Sequence, residues 1–123
     1  MSEATTRSSG KVEVAHLFVY GTLTDKPRLY KIAGKSFPTS PACLKDFKKL
    51  ASRFGYPYII PEKGSVVEGL LIRNIDEQSL ERIDRYEDEG RLYYRKEIQV
   101  VSAGEEIRCE TYVGNPKFLD PRH

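Results

Sequence analysis

The chain has 123 residues, of which 39% are hydrophobic and 31% charged, and a net charge of +2. This balance predicts one soluble globular domain, and no apolar run reaches the roughly 18 to 20 residues that a membrane helix needs. Basic residues are interspersed with acidic ones, so we expect no nucleic-acid partner despite a pI near 8.5. RNA binding through exposed tyrosines remains an alternative that only the pI supports.

Cysteines and histidines are too few and too scattered for the chemistry they usually support. Cys43 and Cys109 form no Cys-x-x-Cys pair, so we expect free thiols in a reducing, cytoplasmic setting. The histidines are His16, beside the first predicted strand, and His123 at the end of the chain. A serine or cysteine triad would lack a well-placed base. We expect neither a metal nor another cofactor.

The first residues have the composition of a tail. Residues 1–11 are rich in Ser, Thr and small polar groups and contain no apolar stretch. They match neither a secretory signal nor a typical transit peptide. We expect a disordered tail over residues 1–14 and a single domain over residues 15–123.

The domain is predicted to begin with a strand, a tight turn and a short helix. Residues 15–20 form a mostly apolar run that Gly21 ends, because glycine adopts backbone angles closed to other residues. Thr24 or Asp25 can then cap a helix that stops at Gly34.

Prolines and branched residues decide the next three assignments. Residues 35–41 are predicted to form a loop, and residues 42–50 fit a strand, although their periodicity also permits a helix. Residues 56–60 are aromatic and branched but include Pro57, which favours an edge strand or an extended pocket wall. Either assignment would place Tyr58 near a surface.

A central strand and the clearest helix follow. Residues 66–72 are nearly continuous in apolar character, and Gly69 among them indicates a bulge or a close backbone approach. Asn74 or Asp76 then caps a helix that runs to about Tyr86.

The C-terminal part reads as a β-hairpin and a tail. Apolar and polar residues alternate over residues 94–100 and again over residues 107–113, with a turn at residues 103–105 between them. Residues 114–123 should be irregular, with apolar residues 118–119 as an anchor to the core.

A carboxylate at the end of the predicted helix is the first candidate for chemistry. Glu87 follows Ile83 by four residues and Leu80 by seven, so it would project from the buried face. Lost hydration there would raise its pKa and make it a better base at neutral pH. If the helix ends earlier, Glu87 would instead pair with a nearby arginine. We expect Asp84 and the acids at 88–89 to be surface charges.

The second candidate is the turn after the first strand. Successive N–H groups of Gly21, Thr22 and Leu23 could form a nest for an anion, although an ordinary strand-ending turn is the alternative. Several tyrosines could line a pocket or serve packing instead: Tyr20, Tyr58, Tyr93, Tyr94 and Tyr112.

Two motifs, Tyr-Gly-Thr-Leu at 20–23 and Ile-Asp-Arg-Tyr-Glu at 83–87, make the chain similar to the gamma-glutamylcyclotransferase-like family. The resemblance covers about residues 16–113. It implies an α+β fold, a compact mixed β-barrel with a few short helices. It also implies cyclisation of a γ-glutamyl amine or γ-glutamyl amino acid to 5-oxoproline, with Glu87 as general base and then acid.

The resemblance implies a set of substrate-binding residues as well. The N–H groups of residues 21–23 would hold the substrate's α-carboxylate, and Tyr20 would shape the wall. Tyr58 and either Tyr93 or Tyr94 would complete the pocket. The family usually has glycine directly after the glutamate, whereas residues 88–90 are Asp-Glu-Gly here, which leaves the choice of tyrosine open.

Substrate and oligomeric state stay open at this point. The two added acids could disfavour anionic leaving groups through like-charge repulsion. One alternative is the removal of a γ-glutamyl protecting group from a specialised metabolite. Another is a non-catalytic module that binds a small ligand on the same fold. We expect a small-molecule γ-glutamyl partner, with no nucleic acid and no membrane.

Overall fold

A computed structural model describes residues 14–52 and 54–119. Its elements, in chain order, are β1 (Val14–Val19), a 3-10 helix (Thr22–Thr24), α1 (Lys26–Ala33), β2 (Thr39–Ala51), β3 (Pro57–Asp76), α2 (Glu77–Glu87), β4 (Tyr93–Ser102), β5 (Glu105–Gly114) and α3 (Pro116–Leu119). The predicted tail lies outside the described residues, except that Val14 already belongs to β1.

The five strands close into a barrel in the order β1-β3-β2-β4-β5. β1 and β5 run parallel, with Phe18 opposite Thr111, and the other neighbouring strands are antiparallel. The predicted α+β class and mixed β-barrel are therefore confirmed.

Buried side chains form two layers that share β1. Phe18 and Tyr20 point into the barrel interior, a cluster to which all five strands contribute residues. Leu17 and Val19 point the other way and pack with residues of the helices, among them Ile83. This alternation follows from the two-residue period of a strand, and it buries β1 on both faces.

The first helix begins and ends where its sequence predicts. The Asp25 side chain accepts from the Arg28 N–H, and Gly34 ends the helix with φ +92°, a left-handed conformation that glycine adopts without strain. Residues 42–50 lie within β2, as predicted. The predicted loop over 35–41 is too long, because β2 already begins at Thr39.

The first part of β3 pairs with β2 alone, which agrees with the predicted edge character. The expected position of Tyr58 near the surface is wrong, since its side chain is 2% exposed. The end of β5 covers it: a Cβ atom at Gly114 would lie 2.5 Å from the Cβ of Tyr58. A bare glycine thus lets the tyrosine pack against the barrel.

Gly69 confirms the predicted close backbone approach. A Cβ atom there would lie 2.2 Å from the Val19 carbonyl oxygen and 2.8 Å from the Phe18 ring. Only a residue without a side chain lets β3 pass β1 at this distance.

Asp76, and not Asn74, caps α2. The Asp76 carboxylate accepts from the N–H and the hydroxyl of Ser79 at 3.2 and 2.7 Å, and the hydroxyl bond chiefly lowers the pKa of Asp76 to about 2. Asn74 remains in β3, with φ +60° and its N–H bonded to His16 Nδ1. The helix continues to Glu87, and Asp88 ends it in a left-handed conformation.

The C-terminal hairpin is confirmed. Ala103 and Gly104 both have positive φ and join β4 to β5 as a two-residue turn. The tail is less irregular than expected, since residues 116–119 form α3. Leu119 is fully buried, which confirms its role as an anchor, while the Phe118 side chain lies outside the described residues.

Candidate active site

A cavity of about 240 Å³ lies between the turn after β1 and the C-terminal end of α2. Residues distant in sequence meet there. The sequence-predicted residues that line it are Tyr20, Gly21, Thr22, Leu23, Glu87, Tyr93 and Tyr112.

Glu87 is the last residue of α2, on the face that packs against the barrel. Burial raises the pKa of its carboxyl to about 7. None of the described residues forms a hydrogen bond or an ion pair with this carboxylate. Arg91 pairs with Asp88, and Arg95 pairs with Asp84. The group is therefore a partly protonated acid at neutral pH that is free to exchange a proton.

The turn after β1 presents backbone donors to the same cavity. The carbonyl of Gly21 accepts from the Thr24 N–H and hydroxyl at 3.0 and 2.7 Å, which winds the 3-10 helix. The N–H groups of Gly21, Thr22 and Leu23 lead into this helix and donate to no acceptor within the described part of the chain. A Cβ atom at Gly21 would lie 3.1 Å from Pro57 Cγ, so glycine keeps this wall open.

Two tyrosine hydroxyls of the cavity are already engaged with backbone carbonyls. Tyr20 donates to the Tyr112 carbonyl at 2.5 Å, and Tyr93 donates to the Pro57 carbonyl at 2.7 Å. Burial chiefly raises the pKa of both phenols, and the nearby charge of Glu87 adds to the effect. They stay neutral at physiological pH, so their rings serve as walls and Glu87 is the better proton acceptor.

Asp84 takes part in a partly buried network, so it is not the unpaired surface charge that the sequence predicted. The Tyr112 hydroxyl donates to Asp84 Oδ1 at 2.5 Å, and Arg95 Nε lies 3.5 Å from the same oxygen. Arg95 also donates to Glu110 at 3.3 Å. Helical periodicity could not reveal this network, because the partners come from β4 and β5.

Comparison with known proteins identifies the family. Residues 17–122 match the family model described as "Gamma-glutamyl cyclotransferase, AIG2-like". The chain belongs to this family. The resemblance inferred from its two motifs is thereby confirmed.

Two AIG2-like proteins of a plant are relatives of this family member. It is 32% identical over 109 residues to AIG2-like protein D of Arabidopsis thaliana, which covers 85% of this chain and 70% of the relative. It is 31% identical to AIG2-like protein C of the same plant, covering 82% of this chain and 59% of the relative.

Solved structures share the fold. A solution structure of an Arabidopsis thaliana protein superimposes with a TM-score of 0.77 at 26% identity, covering 92% of this chain and 76% of that one. An AIG2-like protein from Mus musculus gives 0.68 at 25% identity, covering 87% and 83%. A protein titled gamma-glutamyl cyclotransferase gives 0.74 at 22% identity, covering 88% and 69%, which shows a cyclotransferase-type fold.

In this AIG2-like chain, two of the tyrosines assigned to the pocket lie elsewhere. Tyr58 is buried outside the cavity lining, and Tyr94 is 48% exposed with its hydroxyl 3.3 Å from Asn115 Nδ2. Tyr93 is the one of the 93–94 pair that faces the cavity. Adjacent side chains of a strand point to opposite faces. Because the loop before β4 is lengthened, the sequence did not show which of the two tyrosines faces the cavity.

The cavity lining also includes Tyr56, Pro57, Tyr86 and Leu92. A pocket wall was one of the two predictions for residues 56–60, which include Tyr56 and Pro57. Tyr86 and Leu92 were given no role, although Tyr86 lies inside the motif at 83–87. Across the cavity the hydroxyls of Tyr86 and Thr22 share a hydrogen bond of 2.8 Å.

The two acids after Glu87 do not line the cavity. Asp88 pairs with Arg91, and Glu89 Oε2 accepts from the Arg95 N–H at 3.3 Å. Contact with a leaving group inside the cavity is therefore left to Glu87 and the rest of the lining.

Neither a metal-binding cluster nor a membrane-spanning helix is present among the described residues. No group of three or more His, Cys, Asp or Glu side chains there could hold a metal ion. No helix in the same part of the chain is long and apolar enough to cross a membrane.

Proposed function

We propose that this protein is a γ-glutamyl cyclotransferase, which converts a γ-glutamyl amine or γ-glutamyl amino acid to 5-oxoproline and a free amine. One observation carries the proposal: a carboxyl with a pKa of about 7 lines the same cavity as three successive residues whose backbone N–H groups have no acceptor among the described residues. A γ-glutamyl group offers a matching α-ammonium and α-carboxylate.

The substrate supplies its own nucleophile in this reaction. Glu87 takes a proton from the α-ammonium, and the freed amine attacks the γ-carbonyl carbon to form the ring C–N bond. The bond from that carbon to the leaving nitrogen then breaks, while Glu87 returns the proton to the leaving nitrogen. The ring nitrogen loses its second proton, which the released amine takes up to become an ammonium. The reaction is intramolecular, so the cavity contributes mainly by holding the substrate in its folded shape.

The turn after β1 would hold the α-carboxylate. Charge-assisted hydrogen bonds from the N–H groups of Gly21, Thr22 and Leu23 fit a carboxylate, and anions bind such successive donors well. The rings of Tyr20 and Tyr93 would limit the conformations that the glutamyl chain can adopt. Proton transfer and positioning suffice for this mechanism, so we propose that it requires no metal.

The fate of a panel of γ-glutamyl compounds tests the proposal. We expect the parent protein to release 5-oxoproline, detected by mass spectrometry, from γ-glutamyl amines or γ-glutamyl amino acids. Glu87→Gln should lower kcat at least about 100-fold, since general acid–base catalysis typically contributes that much. Glu81→Gln, an identical change at an exposed position of α2, serves as the matched control.

Two results would count against the proposal. If Glu87→Gln retains activity within a few fold of the parent, Glu87 is not the acid–base group. If the folded parent converts nothing but is stabilised by a γ-glutamyl compound, the protein is a binding module on this fold. Activity limited to one complex metabolite would instead identify a deprotecting cyclotransferase.

A further inference from the structure

The aromatic side chains around the cavity differ sharply in exposure. Tyr93 and Tyr112 in the wall are 5% and 3% exposed, whereas Tyr56 and Tyr86 are 39% and 37% exposed. Phe54, 54% exposed, stacks on Tyr56 with ring centroids 5.9 Å apart. Tyr56 and Tyr86 are therefore the aromatic residues at which the cavity lining reaches solvent, and we call this side of the cavity its opening.

Local hydrogen bonds order the backbone at Phe54 and Tyr56 and fix the hydroxyl of Tyr86. Ser52 donates its N–H to the Tyr56 carbonyl at 3.0 Å, and its hydroxyl accepts from the Phe54 N–H at 3.1 Å. The Tyr86 hydroxyl is bonded to Thr22 across the opening. An aromatic ligand would meet surfaces that are already ordered, which reduces the entropy lost on binding.

The only charged side chain among the described residues of the cavity lining is acidic. Within the described residues, the cavity lining contains Glu87 and no Lys, Arg or His. Lys49 is the cation bonded to a lining residue, and its ammonium reaches the Tyr20 carbonyl at 3.4 Å, beside the turn. A carboxylate at the opening would find no partner among these groups and would be repelled by Glu87.

We infer that Tyr56, Tyr86 and Phe54 form a subsite for an aromatic leaving amine without a carboxylate, an inference that rests on the proposed cyclotransferase function. With the α-carboxylate on the turn and the γ-carbonyl at Glu87, the substituent on the amide nitrogen extends toward the opening. There it contacts the ring of Tyr56 from one side and Tyr86 from the other. Offset or edge-to-face contact of aromatic rings is favourable beyond simple burial.

Three matched substrates separate the ring from the charge. γ-Glutamyl methylamide carries neither, γ-glutamyl phenethylamide adds the ring, and γ-glutamylphenylalanine adds a carboxylate to that ring. We expect kcat/KM for the phenethylamide to exceed that for the methylamide by about fivefold to tenfold, as ring contacts typically give. The value for γ-glutamylphenylalanine should fall below that of the phenethylamide by a similar factor.

Variants assign the preference to the rings. Tyr56→Leu and Phe54→Leu should each remove most of the preference for the phenethylamide, measured as the ratio of its kcat/KM to that of the methylamide. Tyr30→Leu replaces a tyrosine that is 56% exposed and outside the cavity lining. It should change kcat/KM for neither substrate.

The outcomes distinguish the two proposals. Turnover of the methylamide without a preference for the phenethylamide, or a preference that survives both variants, overturns the subsite and leaves the cyclotransferase function standing. Faster turnover of γ-glutamylphenylalanine than of the phenethylamide overturns the charge argument. If none of the three yields 5-oxoproline, the subsite is overturned, and if no other γ-glutamyl compound of the panel yields it either, the cyclotransferase function is overturned as well.

Discussion

Glu87 combines two properties that usually oppose each other, negative charge and burial. A carboxylate loses hydration inside a protein, and no cation compensates it here within the described residues. The pKa therefore rises, and the group stays protonated over a range in which most carboxyls are ionised. That cost in stability is the expected companion of a base tuned to neutral pH.

The cost should appear in the pH dependence of stability. The Glu87 carboxyl has an ordinary pKa of 4.5 and a folded-state pKa of about 7, so folding favours its protonated form. Stability from this group is complete below pH 4.5 and is lost as the pH rises through 7. The loss corresponds to roughly 3 to 3.5 kcal/mol.

Glu87→Gln removes this titration. In urea denaturation at pH 8 we expect the variant to exceed the parent in free energy of unfolding by roughly 3 kcal/mol, while the two agree closely at pH 4.5. Glu81→Gln should show no such divergence. A variant that is no more stable than the parent at pH 8 would mean that the Glu87 carboxylate is well solvated.

Gly69 provides a second prediction for a single residue. Gly69→Ala would place a methyl group 2.2 Å from the Val19 carbonyl oxygen, which is backbone and cannot move aside. We expect a loss of about 3 kcal/mol or more in free energy of unfolding, at the upper end of the overpacking range. Val66→Ala, at an exposed position of the same strand, is the control, and a loss equal to that of the control would show that β3 shifts without cost.

Helix α2 carries two acids with different partners. Glu87 faces the cavity, while Asp84, three residues earlier, accepts from the Tyr112 hydroxyl and lies beside Arg95. This network joins the helix to β4 and β5. It holds the Tyr112 ring in the cavity wall with its hydroxyl turned to Asp84, so Glu87 keeps its weakly polar surroundings.

Asp84→Asn and Tyr112→Phe test this link between elements. Each should lower the free energy of unfolding by about 1.5 to 3 kcal/mol, the range for hydrogen bonds to charged groups. The double variant should lose less than the sum, because both changes remove the same bond. Strict additivity in urea denaturation would show that the two side chains act independently.

Local signals were sufficient where local chemistry decides the structure. Asp25 and Gly34 bound α1 as predicted, and Ala103 and Gly104 form the predicted hairpin turn. Of the two predicted caps of α2, Asn74 was the wrong one, because its N–H donates to His16 of another strand and the residue stays in β3. Partners that are remote in sequence cannot be read from spacing.

The same reason explains the errors at the site. Tyr58 is buried because Gly114 lets β5 approach, and Asp84 is engaged because Arg95 and Tyr112 reach it from the barrel. Both motifs of the site were visible in the sequence. Their meeting depended on barrel closure, in which Phe18 of β1 pairs with Thr111 of β5, 93 residues later.

Barrel closure brings the turn after β1 opposite the end of α2, so a ligand that bridges them should stabilise the whole fold. In the Glu87→Gln variant, which should not consume it, γ-glutamyl methylamide at 100 times its Kd should raise the free energy of unfolding by about 2.7 kcal/mol. The α-carboxamide analogue at the same concentration should stabilise much less, because the N–H groups of residues 21–23 would face a neutral amide in place of an anion. Equal stabilisation by the two compounds in urea denaturation would show that the turn does not bind the α-carboxylate. Stabilisation by the carboxylate compound alone supports the bridge between β1 and α2 on which the proposed reaction depends.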